Sequence, residues 1–135
     1  MRGTPQSMQK QTQYADFMGE GMLYFSEKIW TLNQLGVNDI ILDPGFGFSK
    51  TLDQNFELMS RLDEFELFEM PLLVGISRKS MIYNFLNLTP AESLNGTTVL
   101  NTFALQRGAN ILRVHDVKEA VDTVRMVSKL ANIHK

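Results

Sequence analysis

Polar side chains that could bind a ligand stand at the ends of three short apolar runs in this chain. Asp43 ends the first run, the polar segment 77–80 ends the second, and Arg113 and His115 end the third. The arginine guanidinium offers a planar fork of hydrogen-bond donors that suits a phosphate. His115 lies two residues further along, so an extended strand directs both side chains to one face. These residues predict an anion clamp.

Four of the residues at these strand ends also have an ordinary structural explanation. Asp43 could cap the next helix, because aspartate is a routine turn residue. Arg113 could form an ion pair with Asp43 or Asp116 instead of binding a ligand. Lys79 could be a solvated lysine in a basic turn, and its neighbour Arg78 is interpreted as a surface residue. Three successive strand ends that carry such groups favour the functional interpretation.

The segment after the first strand has the composition of a turn that approaches a ligand closely. Pro44 fixes its own backbone and lacks an amide hydrogen, so it ends the preceding strand. Gly45 and Gly47 allow a tight turn with no side chain in the way. Phe46 and Phe48 are large apolar groups in a loop, and each either fills the core or forms a wall of a pocket.

Helical and extended patterns alternate along the chain. The predicted elements, in order, are a loop over 1–15, a helix over 16–35, a strand over 39–43, a helix over 51–68, a strand over 72–76, a helix over 81–86, a helix over 89–107, a strand over 110–115 and a helix from 116 onward. Capping-box spacing marks the starts at Thr51, Thr89 and Asp116. This alternation implies an α/β fold with a parallel sheet, whose ligands bind at the carboxyl ends of the strands.

Composition limits the classes of protein to which this chain can belong. It has 135 residues, 44% of them hydrophobic, which is enough for one folded domain. The net charge of −2 gives no general attraction to nucleic acid or to an anionic membrane. The chain has no cysteine, which excludes disulfides and thiolate metal sites, and no apolar run near the ~20 residues of a membrane span. We therefore expect a cytoplasmic protein without a signal peptide and without nucleic-acid or membrane partners.

Four segments of the chain resemble the dihydropteroate synthase family, in the order in which that family carries them. They are Met-Arg-Gly-Thr-Pro at 1–5, Leu-Asp-Pro-Gly-Phe-Gly-Phe at 42–48, Val-Gly-Ile-Ser-Arg-Lys-Ser at 74–80 and Arg-Val-His-Asp at 113–116. The resemblance implies a pterin-binding TIM barrel enzyme of folate biosynthesis, which is the target of sulfonamides. That family joins p-aminobenzoate to 6-hydroxymethyl-7,8-dihydropterin diphosphate and releases pyrophosphate.

The resemblance also implies a role for each residue on the pterin side of the site. Asp43 would hydrogen-bond the pterin ring. Lys79 would contact the pterin close to the incoming p-aminobenzoate, which makes Lys79 and Asp43 the catalytic candidates. Gly75 would let the pterin lie against the backbone.

The remaining candidates face the second substrate and the leaving group. Phe48 and Ser77 would border the p-aminobenzoate or sulfonamide site. Arg113 and His115 would hold the diphosphate. Cations at that position suit the family's reaction, in which pyrophosphate leaves and a dihydropterin cation forms, because they stabilise the charge that develops as the bond breaks.

The resemblance covers only part of such an enzyme. A TIM barrel takes about 250 residues and eight strands. Residues 1–135 correspond to the last three strands, the C-terminal part of a pterin-binding domain, and the N-terminal half, which carries the metal-side residues, is absent. We therefore expect Mg²⁺ in the complete enzyme, no metal bound by this chain alone, no turnover by this chain alone, and a homodimer.

Two other functions stay open at this point. The pterin domain of a methyltetrahydrofolate:corrinoid methyltransferase is also a barrel. A methyl donor, however, has no diphosphate for Arg113 and His115 to hold, which favours the synthase. A non-catalytic fragment that survives only as an assembled unit is the other alternative, and the missing half supports it.

Overall fold

Helices alternate with short parallel strands in the computed structural model, which describes residues 16–133. In chain order the elements are α1 (Phe17–Gln34), α2 (Leu52–Ser60), a 3-10 helix (Leu62–Phe68), β1 (Leu73–Val74), α3 (Ser80–Leu86), a second 3-10 helix (Pro90–Glu92), α4 (Leu94–Gln106), β2 (Ile111–Leu112) and α5 (Val117–Asn132). β1 and β2 are parallel, with Leu73 opposite Ile111. The predicted parallel α/β fold is therefore confirmed, whereas the loop predicted over 1–15 lies outside the described residues. No described helix is long and apolar enough to cross a membrane.

The strand predicted over 39–43 is reduced to a single parallel bridge between Leu42 and Leu72. The Leu42 amide donates to the Pro71 carbonyl at 2.9 Å, and the Leu73 amide donates to the Leu42 carbonyl at 2.7 Å. Within the described part of the chain this segment pairs along one edge only, so few ladder bonds hold it extended. β1 and β2 are also shorter than predicted, because they pair with each other over two residues each.

The core lies between the small sheet and the helices that cover it. Its largest fully buried apolar side chains are Phe46, Leu62, Val74, Ile76 and Met81. α1 packs against this core through Met18 and through the ring of Phe25, which meets the ring of Phe65 edge-on at 5.4 Å between centres. Phe46 and Met81 fix the loop after the first strand and the start of α3, and both of those segments carry candidate site residues.

The helix predicted over 51–68 is divided into two parts. The capping box predicted at Thr51 is formed with Gln54. The α-helix ends earlier than predicted, and a 3-10 helix follows it. At the junction the Arg61 amide is shared between the carbonyls of Glu57 and Leu58, at 3.1 and 3.3 Å, which is the three-centre pattern common at helix ends.

The other two capping boxes differ from the prediction. The box at Thr89 is formed with Glu92, but it encloses the second 3-10 helix, and α4 starts only at Leu94. The box predicted at Asp116 is wrong, because this side chain makes no capping hydrogen bond to α5. Its carboxylate bonds the guanidinium of Arg78 instead. A charged bidentate donor forms stronger hydrogen bonds than a backbone amide does.

Candidate ligand site at the strand ends

The loop after the first strand is a compact turn held by side chains that accept from its backbone. The Gly45 amide donates to Asp43 Oδ1 at 3.0 Å, and the Gly47 amide donates to Oδ1 of Asn55, in α2, at 2.7 Å. Both glycines have positive φ, +73° and +89°, where a side chain would strain the backbone. The prediction that these two glycines permit a tight turn is confirmed.

The two phenylalanines of this loop have different environments. Phe46 belongs to the core, with 1% of its surface exposed. Phe48 is 37% exposed, and the centre of its ring lies 4.8 Å from Lys79 Nζ, a cation–π contact. Lys79 Nζ also donates to the Phe46 carbonyl at 2.6 Å. Lys79 is therefore held against the loop, and the alternative of a solvated lysine is wrong.

Arg113 meets Asp43 across the strand ends. Its Nη1 atom donates to Asp43 Oδ2 at 2.9 Å, so one of the two ion pairs considered from the sequence is formed, and the one with Asp116 is not. Gly75 leaves room for this guanidinium, because a Cβ added at Gly75 would lie 2.7 Å from Arg113 Cζ. The alternative that Asp43 caps α2 is wrong, since Thr51 occupies that position.

His115 contacts a different residue from Arg113. Its Nδ1 atom lies 2.9 Å from Ser77 Oγ, and its amide donates to the same oxygen at 3.2 Å. Ser77 is buried. A serine oxygen can accept two hydrogen bonds, or accept one and donate one, so this contact is compatible with either tautomer of the ring. The two residues of the predicted anion clamp thus have separate partners, and their joint role stays a prediction.

Lys50 is a second lysine at this site, and sequence reasoning missed it. Its Nζ atom donates to the carbonyls of Gly45 and Phe48, at 2.7 and 3.0 Å. It is the first charged residue after the turn, which was the available signal. A single lysine in a loop ordinarily predicts exposure to solvent, so that signal alone did not indicate a partly buried ammonium group.

Positive charge is concentrated around one carboxylate at the strand ends. The pKa of Lys50 falls from 10.5 to about 8, first through burial and then through the nearby Lys79 charge, while Asp43 opposes both effects. The pKa of Lys79 is also lowered, by burial and then by Arg113, again against Asp43. A site with three cationic groups and one anionic group favours an anionic ligand.

Arg78 is partly exposed, but its side chain forms an ion pair that the sequence did not indicate. Its Nε and Nη2 atoms donate to the two carboxylate oxygens of Asp116, at 3.0 and 2.7 Å. These hydrogen bonds raise the pKa of Arg78 and lower that of Asp116. The two residues are 38 positions apart, so no local spacing rule could have paired them.

The site can bind a ligand that carries an anionic group and, next to it, a hydrogen-bond donor. Lys79, Arg113 and His115 carry donors suited to an anion, and Asp43 carries an acceptor. Among residues 16–133, no group of three histidine, cysteine, aspartate or glutamate side chains could hold a metal ion. The Asp43 carboxylate already bonds Arg113. The expectation that Mg²⁺ binds outside this chain stays a prediction.

Fold and site together define a parallel α/β protein that gathers ligand-binding side chains at the carboxyl ends of its strands. A family model described as "Pterin binding enzyme" matches residues 1–115. The chain therefore belongs to the pterin-binding enzyme family, and the resemblance noted from its sequence segments is confirmed.

Individual relatives agree with this assignment. The dihydropteroate synthase of Escherichia coli strain K12 is 47% identical over 129 residues, which are 94% of this chain and 46% of that protein. A crystal structure of Yersinia pestis dihydropteroate synthase with a sulfonamide drug complex matches with a TM-score of 0.93 and 40% identity, over 97% of this chain and 48% of its own. The Thermus thermophilus enzyme in complex with 4-aminobenzoate matches with a TM-score of 0.91 and 33% identity, over 96% of this chain and 53% of its own. The chain spans about half the length of the curated relatives it matches.

Proposed function

We propose that this chain is the C-terminal half of a dihydropteroate synthase and supplies the last three strand–helix units of a TIM barrel. The complete enzyme, meaning this chain together with the other half of the barrel, condenses 6-hydroxymethyl-7,8-dihydropterin diphosphate with p-aminobenzoate. Its products are 7,8-dihydropteroate and pyrophosphate. The observation that carries the proposal is the convergence of Asp43, Lys79 and Arg113 in a chain 47% identical to such an enzyme.

Pterin binding requires Arg113 to move. In this proposal the pterin lies against the backbone of Gly75 and hydrogen-bonds Asp43. The Arg113 guanidinium now lies over Gly75 and bonds Asp43, so ring and guanidinium need the same space and the same acceptor. An exposed ion pair of this kind is worth only about 0.2–1 kcal/mol, so it opens readily. Arg113 then binds the phosphate oxygens, which its planar fork suits.

The reaction separates a leaving anion from a carbon cation. The bond between the pterin methylene carbon and the diphosphate oxygen breaks, and the diphosphate takes the electron pair. Arg113 and His115 stabilise that developing negative charge. The p-aminobenzoate amine then forms the new carbon–nitrogen bond and loses a proton. Lys79 lies beside the pterin and this amine, while Phe48 and Ser77 border the aromatic ring, where a sulfonamide would compete.

Magnesium belongs, in this proposal, to the part of the enzyme outside this chain. The support for this is that residues 16–133 contain no group of three or more histidine, cysteine, aspartate or glutamate side chains that could hold a metal ion. Bound Mg²⁺ would neutralise charge on the diphosphate. The residues described above bind and orient the substrates without contributing a metal ligand.

A second copy of the chain is the proposed macromolecular partner. Val117, Val121 and Val124 follow one another at helical spacing on α5, and all three are exposed. An exposed apolar face of this kind suits a two-fold contact between identical chains. The substrates are small molecules, and the net charge of −2 gives no reason to add nucleic acid as a partner.

Ligand titrations test the proposed function. Pyrophosphate added to the complete enzyme should shift the NMR signals of Arg113 and His115. The enzyme should also bind the pterin diphosphate more tightly than methyltetrahydrofolate. Unchanged signals at both residues would overturn the diphosphate site, and tighter binding of methyltetrahydrofolate would indicate the pterin domain of a corrinoid methyltransferase instead.

A further inference from the structure

An ion pair beside the proposed substrate positions ties two segments of the site together. Arg78 Nε donates to Asp116 Oδ2 at 3.0 Å, and Arg78 Nη2 donates to Asp116 Oδ1 at 2.7 Å. The two side chains are 30% and 20% exposed. A planar guanidinium that meets both oxygens of a carboxylate fixes orientation as well as distance. The pair therefore holds the turn after β1 against the residue that precedes α5.

The backbone of Arg78 is anchored as well as its side chain. Arg78 has a φ of +55°, which is unfavourable for a residue with a side chain. Its amide donates to Thr97 Oγ1 at 3.1 Å, and the buried Thr97 hydroxyl donates to the Ser93 carbonyl at 2.8 Å. A strained backbone conformation of this kind persists only where surrounding contacts hold it in place. Residues with such backbone strain cluster at functional sites. Here α4 holds the backbone, and the start of α5 holds the side chain.

The residues on either side of Arg78 both belong to the candidate site. Ser77 Oγ lies 2.9 Å from His115 Nδ1 and accepts the His115 amide hydrogen at 3.2 Å. Lys79 Nζ donates to a carbonyl of the glycine–phenylalanine loop at 2.6 Å. Two successive cross-links, Ser77 to His115 and Arg78 to Asp116, therefore join the same two segments of chain.

We propose that Arg78 and Asp116 are positioning residues, which set the geometry of Ser77, Lys79 and His115 without touching the substrates. One cross-link between two segments leaves them able to pivot, and the second cross-link removes that freedom. Loss of the pair lets His115 shift relative to the diphosphate and Lys79 shift relative to the incoming amine. The effect on turnover rests on the proposed function, whereas the effect on the Ser77–His115 contact does not.

Three substitutions separate positioning from plain stabilisation. Arg78→Gln removes the charge, Arg78→Lys keeps the charge but not the planar fork, and Asp116→Asn keeps a residue suited to a helix N-cap. In the complete enzyme kcat should fall about 10- to 100-fold in Arg78→Gln, because small misplacements of reacting groups are costly. KM for p-aminobenzoate should change less than about threefold. Arg78→Lys should recover only part of the loss.

A spectroscopic readout follows the same variants independently of turnover. The ¹⁵N shifts of the His115 ring respond to the hydrogen bond between its Nδ1 atom and Ser77 Oγ. They should change in Arg78→Gln and in Asp116→Asn. Arg61→Gln is the matched control, because Arg61 also has two carboxylate partners, both nearby on its own stretch of chain. It should leave kcat and the His115 shifts as in the wild type.

Two outcomes would overturn the inference. One is a lower melting temperature in Arg78→Gln and Asp116→Asn with unchanged kcat and unchanged His115 ring shifts, which would make the pair structural only. The other is full recovery of kcat by Arg78→Lys, because charge alone would then suffice. Absence of turnover in the wild-type complete enzyme would instead refute the proposed function, and the His115 shifts alone would then decide the positioning role.

Discussion

Replacement of Gly75 by alanine should separate ligand binding from folding at this site. The added Cβ would lie 2.7 Å from Arg113 Cζ, so the guanidinium has to leave its place beside Asp43. The backbone at Gly75 does not have positive φ, so alanine itself fits there. Arg113 is half-exposed and flexible, which lets it move without disturbing the core.

The expected change in folding stability is small, and the expected change in binding is large. Loss of the exposed Arg113–Asp43 pair costs about 0.2–1 kcal/mol. Exchange of glycine for alanine stabilises the folded state by about 0.4–1 kcal/mol, because it lowers the conformational entropy of the unfolded chain. The two effects nearly cancel, so the melting temperature should stay within about 4 °C of the wild type. A methyl group between the pterin and the backbone costs about 1–3 kcal/mol, which is about 5- to 150-fold in Kd.

Thermal unfolding and calorimetric titration of the complete enzyme with the pterin diphosphate measure the two quantities. Gly21→Ala is the control, because its added Cβ meets open space in α1. This variant should bind as the wild type does and gain up to about 1 kcal/mol in the free energy of unfolding. Unchanged pterin affinity in Gly75→Ala would refute the placement of the pterin over Gly75. A fall of more than about 10 °C in melting temperature would show that Gly75 is structural instead.

Two lysines and the exposed apolar surfaces provide three further predictions. Lys79→Ala in the complete enzyme should lower kcat about 10²-fold or more, a loss typical for a group that acts at the reacting centre, with the melting temperature nearly unchanged. Parallel losses of activity and stability would indicate a structural lysine. The wild-type free energy of unfolding should rise between pH 8 and pH 10.5, because folded Lys50 gives up its proton near 8 and unfolded Lys50 near 10.5. In Lys50→Met that contribution disappears. If urea unfolding gave the same pH dependence of the free energy of unfolding for the variant and the wild type, the lowered pKa of Lys50 would be contradicted. The 135-residue chain should sediment as a dimer or larger species at micromolar concentration, and a monodisperse monomer would contradict the proposed association.

The residues that meet at the strand ends were predictable from the sequence. Parallel strands bring their carboxyl ends to one edge, so polar residues that end successive apolar runs become neighbours. Asp43, Lys79 and Arg113 are related in this way, and the structure gathers them. The prediction needed only the order of the elements and the points at which the apolar runs stop.

Partner choices between distant segments were not predictable. Asp116 has the spacing of a capping box, as Thr51 does, and only Thr51 forms one. Arg78, 38 residues from Asp116, supplies a stronger partner that no local pattern reveals. Lys50 is similar, because its partners are backbone carbonyls, which carry no sequence signal.

Strand lengths depended on neighbours rather than on local pattern. The apolar run predicted a strand over 39–43, but an extended segment becomes a strand only where another backbone pairs with it. The described part of the chain pairs Leu42 with Leu72 and leaves the rest of the run without a ladder. The prediction that the whole run is buried is also wrong, because Leu42 is buried whereas Ile41 is 56% exposed.

Pyrophosphate release by the complete enzyme tests the central claim most directly. A coupled assay with Mg²⁺ present should show release that requires both 6-hydroxymethyl-7,8-dihydropterin diphosphate and p-aminobenzoate, and the 135-residue chain alone should show none. Absence of release from the folded complete enzyme with both substrates present would contradict the account. Turnover by the 135-residue chain alone, at the rate of the complete enzyme, would contradict it equally.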